Sequence, residues 1–353
     1  MKLERHENPW EELALYESRD YVSAEYKRWH DAELSAKKAV SIISNIRQGA
    51  DFFKSAKLAS NLVRPLLIYY GVLALSRGLI LCLTSKLESG LTPSHGLEIE
   101  DFALDESTDR VNINLPAMRC SLLHHGAFPE LIQAIRNKSR FVINPAPFPS
   151  NPIKASYMYA ITIEGRVTFN DVLSRLPFLR DDYTKLTQRQ PDNYKSFVFC
   201  LDNQTDIDMF VYNSMPTEEV VRRLWKIAAA EPVTLTNQHN FFGAQPYYLV
   251  RKNVGPANLQ PPMLVEGFSD EAQGMLNFVI EPLSGIGDIA QLGLMFIAAY
   301  FCGMIVRYRP SSWYSLNSQK RGDQYMPLFN SVCNLVESEF PRLVAAELQF
   351  APD

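Results

Sequence analysis

Four arginines stand beside or inside apolar runs. Arg64 and Arg77 belong to RPLLIYYGVLALSRGLILCL (residues 64–83), and Arg307 and Arg309 to LGLMFIAAYFCGMIVRYRPSSWYSL (residues 292–316). A guanidinium grips an oxyanion with two parallel N–H donors, and an aromatic ring can stack on a base or on the guanidinium itself. If the two runs meet, these arginines would gather with His95, Tyr308 and Trp313, an arrangement suited to a nucleotide or a nucleic-acid end. The plainer expectation is that each arginine pairs with a carboxylate such as Asp288 or Glu347 and ties helix ends. Arg77 is the sharpest case, because it interrupts an apolar run and a buried charge needs a partner. The ligand-binding candidates are therefore Arg64, Arg77, His95, Arg307, Arg309 and Trp313.

A second pairing could act on RNA. Arg119 and His124 form an RxxxxH, a spacing that resembles the motif of the HEPN ribonucleases, where both side chains share one helix face. Here the segment follows VNINLP and leads into HHGAFPEL, which reads as a strand entering a turn, so the shared face is not expected. No Walker loop, GxGxxG after a strand, HExxH or GxSxG occurs. Gly285-Ile-Gly287-Asp288 reads as a turn opening a helix. Asp202, Asp206 and Asp208 read as solvated loop carboxylates before a cation site. Glu218, Glu219, Arg222 and Arg223 read as the exposed side of a helix with i, i+4 pairs.

The bulk numbers bound the class. The chain has 353 residues, 46% hydrophobic and 21% charged, which is ordinary globular composition. A net charge of −4 argues against a dedicated nucleic-acid binder while leaving a local basic groove open. Five cysteines without CxxC spacing point away from zinc and disulfides and toward a reducing cytoplasm, with no metal or cofactor expected. The charged opening MKLERHENPW does not read as a signal peptide. The two apolar runs approach the length of a membrane span, but Arg77 would sit near mid-bilayer at a cost of at least ~2.5 kcal/mol. Buried helices of a soluble protein, with no membrane partner, are expected.

The elements that would carry these residues are helical at both ends. Residues 8–30 read as one helix with Asn8 as cap and Pro9 in its first turn. Residues 31–63 read as one or two helices broken near Gly49, and a helix restarts at Pro65. Gly71, Ala74, Gly78 and Cys82 put small residues along one face, and Ala299 and Gly303 repeat this more briefly. The two apolar helices are therefore expected to pack near one another. From about 100 to 284, the runs VNINL, FVINP, YMYAITIEG, SFVFCLD, DMFVY, PYYLV and LNFVI read as strands. Short helices at 128–137, 169–176 and 216–229 interrupt them, and PAPFPSNP (145–152) is an extended connection. Residues 324–348 read as two helices parted at Phe340–Pro341. The expected fold is α+β, with a helical core from 1–99 and 285–353 and a mixed β-rich insert at 100–284.

Five ordered pieces resemble the YaaC-like family of bacterial proteins: RPLLIYYG (64–71), SHG (94–96), GAFPEL (126–131), GMIVRYRPSSWYSL (303–316) and FPRLVAAEL (340–348). The resemblance spans most of the chain and supplies no catalytic residue. The reading that follows is a non-catalytic binding or assembly subunit of a bacterial cytoplasmic complex, with anti-phage defence as one setting. Its partner would be another protein subunit or a second copy of the chain; abundant Tyr (16) and Phe (20) suit interfaces. The alternatives are a nucleotide- or RNA-acting enzyme using Arg119 and His124 or the arginine–histidine cluster, and a nucleotide sensor without turnover.

Overall fold

A computed structural model describes residues 8–105, 112–145, 153–200, 207–212, 217–227, 233–236, 247–252, 261–270, 274–318 and 325–349. Most of the expected 145–152 connection, together with Asp202 and Asp206, lies outside these residues. The fold is α+β. Contacts divide the chain into two compact units, one of Met1–Asn137, Thr162–Leu173 and Leu292–Asp353, the other of Lys138–Ile161 and Ser174–Gln291.

The first unit is mainly helical. Asn8 accepts from the Trp10 amide and Pro9 begins α1 (Pro9–Leu15). The expected single helix over 8–30 is two, because Ser18 caps a fresh start at α2 (Arg19–His30). α3 (Ala36–Leu58) runs unbroken through Gly49, contrary to the expected break. Gly49 is instead a packing site, where a Cβ would come within 2.6 Å of Leu75 Cδ2. α4 (Arg64–Leu83) is the first apolar run. Its Gly71 and Gly78 lie against Phe53 and Ile46, so the small-residue face of α4 receives α3.

A three-stranded antiparallel sheet follows in the same unit. Its order is β1 (Leu97–Asp101), β4 (Arg119–Leu122) and β7 (Gly165–Thr168). A short ribbon of β2 (Leu104–Asp105) and β3 (Asn112–Ile113) lies between the first two in sequence. Because β1 pairs with β4 and α5 (Ala127–Ala134) packs on α4, the unit boundary falls after Asn137 and not near residue 100. α6 (Phe169–Leu173) is shorter than expected.

The second unit is built on β5 (Lys138–Pro145), β6 (Ile153–Met158), β8 (Asn193–Cys200) and β9 (Ile207–Tyr212). β10 (Val233–Thr236), β11 (Tyr247–Lys252), β12 (Met263–Asp270) and β13 (Gly274–Ile280) complete it. The order is β10-β11-β9-β8-β13-β12, antiparallel throughout, while β5 joins β8 in parallel and β6 antiparallel. The Asn277 side chain holds both the N–H and the C=O of Val142 at 2.8 Å, tying β5 to β13. α8 (Glu218–Leu224) lays Val221, Leu224 and Trp225 on Val198, Val211 and Val250 to make the core of this unit. α7 (Arg180–Thr187) was not foreseen, although Asp181 and Asp182 in its first turn and Lys185 in its last suit the helix dipole.

Three helices return to the first unit. α9 (Gln291–Tyr308) is the second apolar run, followed by α10 (Pro310–Asn317) and α11 (Met326–Gln349). α11 continues through Pro341, where two helices were expected. Phe340, Pro341, Val344 and Leu348 are all buried, and that packing outweighs the roughly 3 kcal/mol that an interior proline costs. α11 packs on α4, and Tyr16 donates to the Leu348 carbonyl at 2.9 Å, so helices from both ends of the chain share one core. α4 and α9 are long and apolar enough to cross a membrane; 67% and 89% of their most apolar windows are buried inside the protein.

Candidate functional site

α4 and α9 cross where Gly303 meets Tyr69. A Cβ on Gly303 would lie 2.7 Å from Tyr69 Cβ, so only glycine permits the approach. The Tyr69 ring then stands edge-on to Phe296 and Tyr300 of α9, with centroids 6.1 and 5.5 Å away. Such edge contacts are favoured by the ring quadrupole.

His95 reaches this crossing from a loop fixed on both sides. Gly96 (φ +76) and Gly126 (φ +129) lie face to face, and a Cβ on Gly126 would be 2.2 Å from the Gly96 amide. Leu123 donates its amide to the Gly96 carbonyl, Ala127 to that of Ser94 and Phe128 to that of His95, at 3.0 Å each. Both glycines adopt φ values that a side chain would strain. The clasp sets the imidazole so that Nδ1 is 2.6 Å from the Tyr69 hydroxyl.

The Tyr69–His95 bond has one satisfactory polarity. Burial pushes the Tyr69 hydroxyl well above its ordinary range, so it keeps its proton. Among the described residues it has no acceptor besides Nδ1, so it donates there. His95 then carries its proton on Nε2, which has no partner among the described residues. Burial holds the His95 pKa below its ordinary value, and the charges of Arg307 and Arg77 lower it further. The imidazole is thus neutral near pH 7 and offers one N–H.

Arg77 and Arg307 are both within electrostatic reach of His95 and Tyr69. Arg77 is half-buried, and its Nε is fully shielded and without a hydrogen-bond partner. Arg307 is exposed, with its guanidinium 5.2 Å from the centre of the Tyr308 ring. Neither arginine forms an ion pair among the described residues. Arg77, His95 and Arg307 are three donor side chains carrying two positive charges and, with Nδ1 engaged, no free acceptor, which is the chemistry that suits an oxyanion.

The other candidates lie elsewhere. Arg64 donates to Glu337 at 2.6 Å and to Asn334 at 2.7 Å, fastening α4 to α11. Arg309 covers the Phe102 ring at 5.0 Å. Trp313 is buried, with its indole N–H on the Leu62 carbonyl at 3.1 Å and its ring against Phe329. Arg119 begins a strand and pairs with Asp101 at 2.9 Å, while His124 lies beyond the strand end and bonds to Glu164. Each of that pair is engaged by a different carboxylate. Glu218 pairs with Arg222 as expected, but Arg223 reaches Glu281 at 3.0 Å. Gly285 and Gly287 form a tight turn in left-handed backbone, which ends four residues before the α9 start. Asp208 is buried on β9 and is not a solvated loop carboxylate. Among the described residues no three His, Cys, Asp or Glu side chains come together as metal ligands.

The sequence reading missed Tyr69 and Tyr300. A signal was present, since Tyr69 and Arg77 stand eight apart and Tyr300 and Arg307 seven apart, both close to whole numbers of helical turns.

The five segments that resemble one family fall on these positions: the α4 start, the His95 loop, the Gly126 clasp, the α9–α10 junction and α11. Residues 13–348 match the family model described as YaaC-like protein. The chain belongs to that family. No curated protein and no solved structure matches it. Membership thus spans both compact units and includes every residue of the cluster.

Proposed function

We propose that this protein is a non-catalytic binding protein of the cytoplasm that takes an oxyanion-bearing ligand, of the nucleotide phosphate class, on Arg77, His95 and Arg307. The observation that carries the reading is that two arginines with no ion-pair partner among the described residues both act electrostatically on an imidazole whose free nitrogen is a donor. The buried orphan Nε of Arg77 supports it, because a shielded donor without a partner costs about 1–3 kcal/mol and an anion would satisfy it. Tyr308, exposed beside Arg307, supplies a ring on which a base can stack. The polarity of the Tyr69–His95 bond favours binding over turnover: a general base needs a free lone pair, and here Nδ1 is occupied and Nε2 is protonated.

The test is calorimetric titration of the purified protein with a panel of nucleoside mono-, di- and triphosphates, followed by mass analysis of the recovered ligand. Saturable binding with the ligand returned intact, lost in Arg77→Met, is expected. No binding across the panel would overturn the reading, and a cleaved ligand would replace it with the enzyme alternative.

A second reading, the assembly subunit, is favoured by exposed apolar side chains at the α3–α4 junction. Leu58 is 86% exposed, and Leu62 and Val63 follow within five residues at 39% and 46%. Single exposed leucines are ordinary, whereas a cluster marks an interaction surface. Native mass spectrometry after gentle purification from the source cells tests it: a stoichiometric protein partner, or a dimer abolished by Leu58→Glu and Leu62→Glu, is expected. A monomer that stays monomeric at all concentrations, without a partner, would remove it.

A further inference from the structure

A cavity lies away from the arginine cluster and shares none of its residues. It is a groove of about 280 Å³ between α1 and α3. Trp10 and Leu13 line it from α1, and Ile46, Ala50 and Phe53 from α3. The two helices run antiparallel here, because Trp10 rests on Phe53 with ring centroids 5.4 Å apart while Glu17 pairs with Arg47 at 2.7 Å. The apolar floor is therefore closed at one end by a neutralised ion pair.

The other end is cationic. Lys54 and Lys57 line the cavity beside Phe53, one helical turn apart. Both are exposed, and neither has a hydrogen bond or ion pair among the described residues. Glu17, the acidic group in the lining, is committed to Arg47 at the far end. The groove thus combines an apolar trough with two positive charges at one mouth.

We infer that this groove is a binding site for a small amphipathic acid, a monocarboxylate with an unbranched apolar chain. The carboxylate lies between Lys54 and Lys57, and the chain runs past Trp10, Leu13 and Ile46 toward the Glu17–Arg47 pair. Charge complementarity selects the head group. The volume of the groove, close to the lower bound of roughly 300 Å³ for small-molecule pockets, suits a chain of medium length. A phosphorylated ligand is disfavoured here, because the lysines are solvated point charges without the bidentate geometry of arginine.

The test uses the full chain and octanoate as probe, with 1-octanol as the uncharged comparison. Isothermal titration is expected to show one saturable site for octanoate and binding at least about tenfold weaker for octanol, the equivalent of two modest ion pairs. Lys54→Glu with Lys57→Glu is expected to weaken octanoate by a similar factor without changing the circular dichroism, since both side chains are exposed. Ala50→Leu, which fills the groove but keeps the lysines, is expected to weaken octanoate and octanol alike. Absence of saturable octanoate binding would overturn the inference. So would equal affinity for octanol, or octanoate binding unchanged in both variants.

Discussion

Replacing Arg77 by Met is expected to stabilise the protein and disable its anion site at once. Arg77 sits in the middle of α4 among buried Leu75, Ser76, Gly78 and Leu79. Its aliphatic stem contributes packing, which methionine reproduces, and the two residues have nearly equal helix propensity. What changes is the head group. The variant removes a shielded Nε with no partner and one of the two positive charges that act on His95. An unsatisfied buried donor costs about 1–3 kcal/mol, and part of the guanidinium is solvated, so a gain of about 1 kcal/mol is expected. For a unit of this size that raises Tm by about 2–4 °C. Differential scanning calorimetry of both proteins, with and without sodium sulfate, reads both effects. Sulfate stabilises most proteins through exclusion from their surface, and that part is common to wild type and variant. Specific binding adds to wild type alone, reaching about 2.7 kcal/mol at one hundred times Kd. Two results would refute the reasoning. A loss of 3–5 kcal/mol in the variant would place Arg77 in a buried ion pair. Equal sulfate response in both proteins would mean that no anion meets this residue.

Further outcomes follow from the same packing. Gly303→Ala should destabilise by about 1–3 kcal/mol despite its better helix propensity, because the clash is with Tyr69 Cβ, close to the α4 backbone. Gly49→Ala should also destabilise, because its Cβ would meet Leu75 Cδ2 and Cγ at 2.6 and 2.7 Å with the Leu75 amide nitrogen at 3.2 Å; urea unfolding reads both variants, and wild-type stability in either would contradict the close approach of the helices there. Glu337→Ala leaves Arg64 with Asn334 alone in a mostly buried setting and should cost about 2 kcal/mol. A double-mutant cycle with Arg64→Met isolates the pair, and a coupling near zero would show that α4 is not fastened to α11 there. His95 has a folded pKa below its unfolded value near 6.5. The unfolded chain therefore binds more protons between the two values, so this part of the stability is full above pH 6.5 and is lost as pH falls through the folded pKa. The difference in Tm between wild type and His95→Gln should change over that window, and a difference independent of pH would show that His95 is not held neutral.

Local pattern made much of the architecture readable before any coordinates. The apolar runs at 64–83 and 292–308 are helices: each is far longer than an ordinary strand, and a helix satisfies its interior backbone groups within the segment. Of the runs read as strands, the described parts of FVINP, SFVFCLD, DMFVY, PYYLV and LNFVI lie in strands of the second unit, whereas VNINL keeps only Asn112–Ile113 as strand and YMYAITIEG joins the end of β6 to the start of β7 with no named strand between Met158 and Gly165. The RxxxxH segment reads as strand from its flanks, and β4 begins at Arg119. Breaks were harder to place. Gly49 and Pro341 look like helix ends locally, but the side chains packed around them keep both helices whole.

The residue types of the site were visible in the sequence: arginines within or at the end of apolar helices and a histidine next to a glycine. Which of them meet depended on contacts between distant segments. Arg64 and Arg77 share one helix, yet α11 brings Glu337 to the first, and among the described residues no carboxylate pairs with the second. His95 faces the crossing only because Gly96 and Gly126, thirty positions apart, lock backbone to backbone. α9 lies against Tyr69 only because Gly303 has no side chain. Helical and strand periodicity are properties of neighbouring residues, so the chain alone determined them. The convergence of charges is set by close approach between elements far apart in sequence, which only the tertiary structure decided.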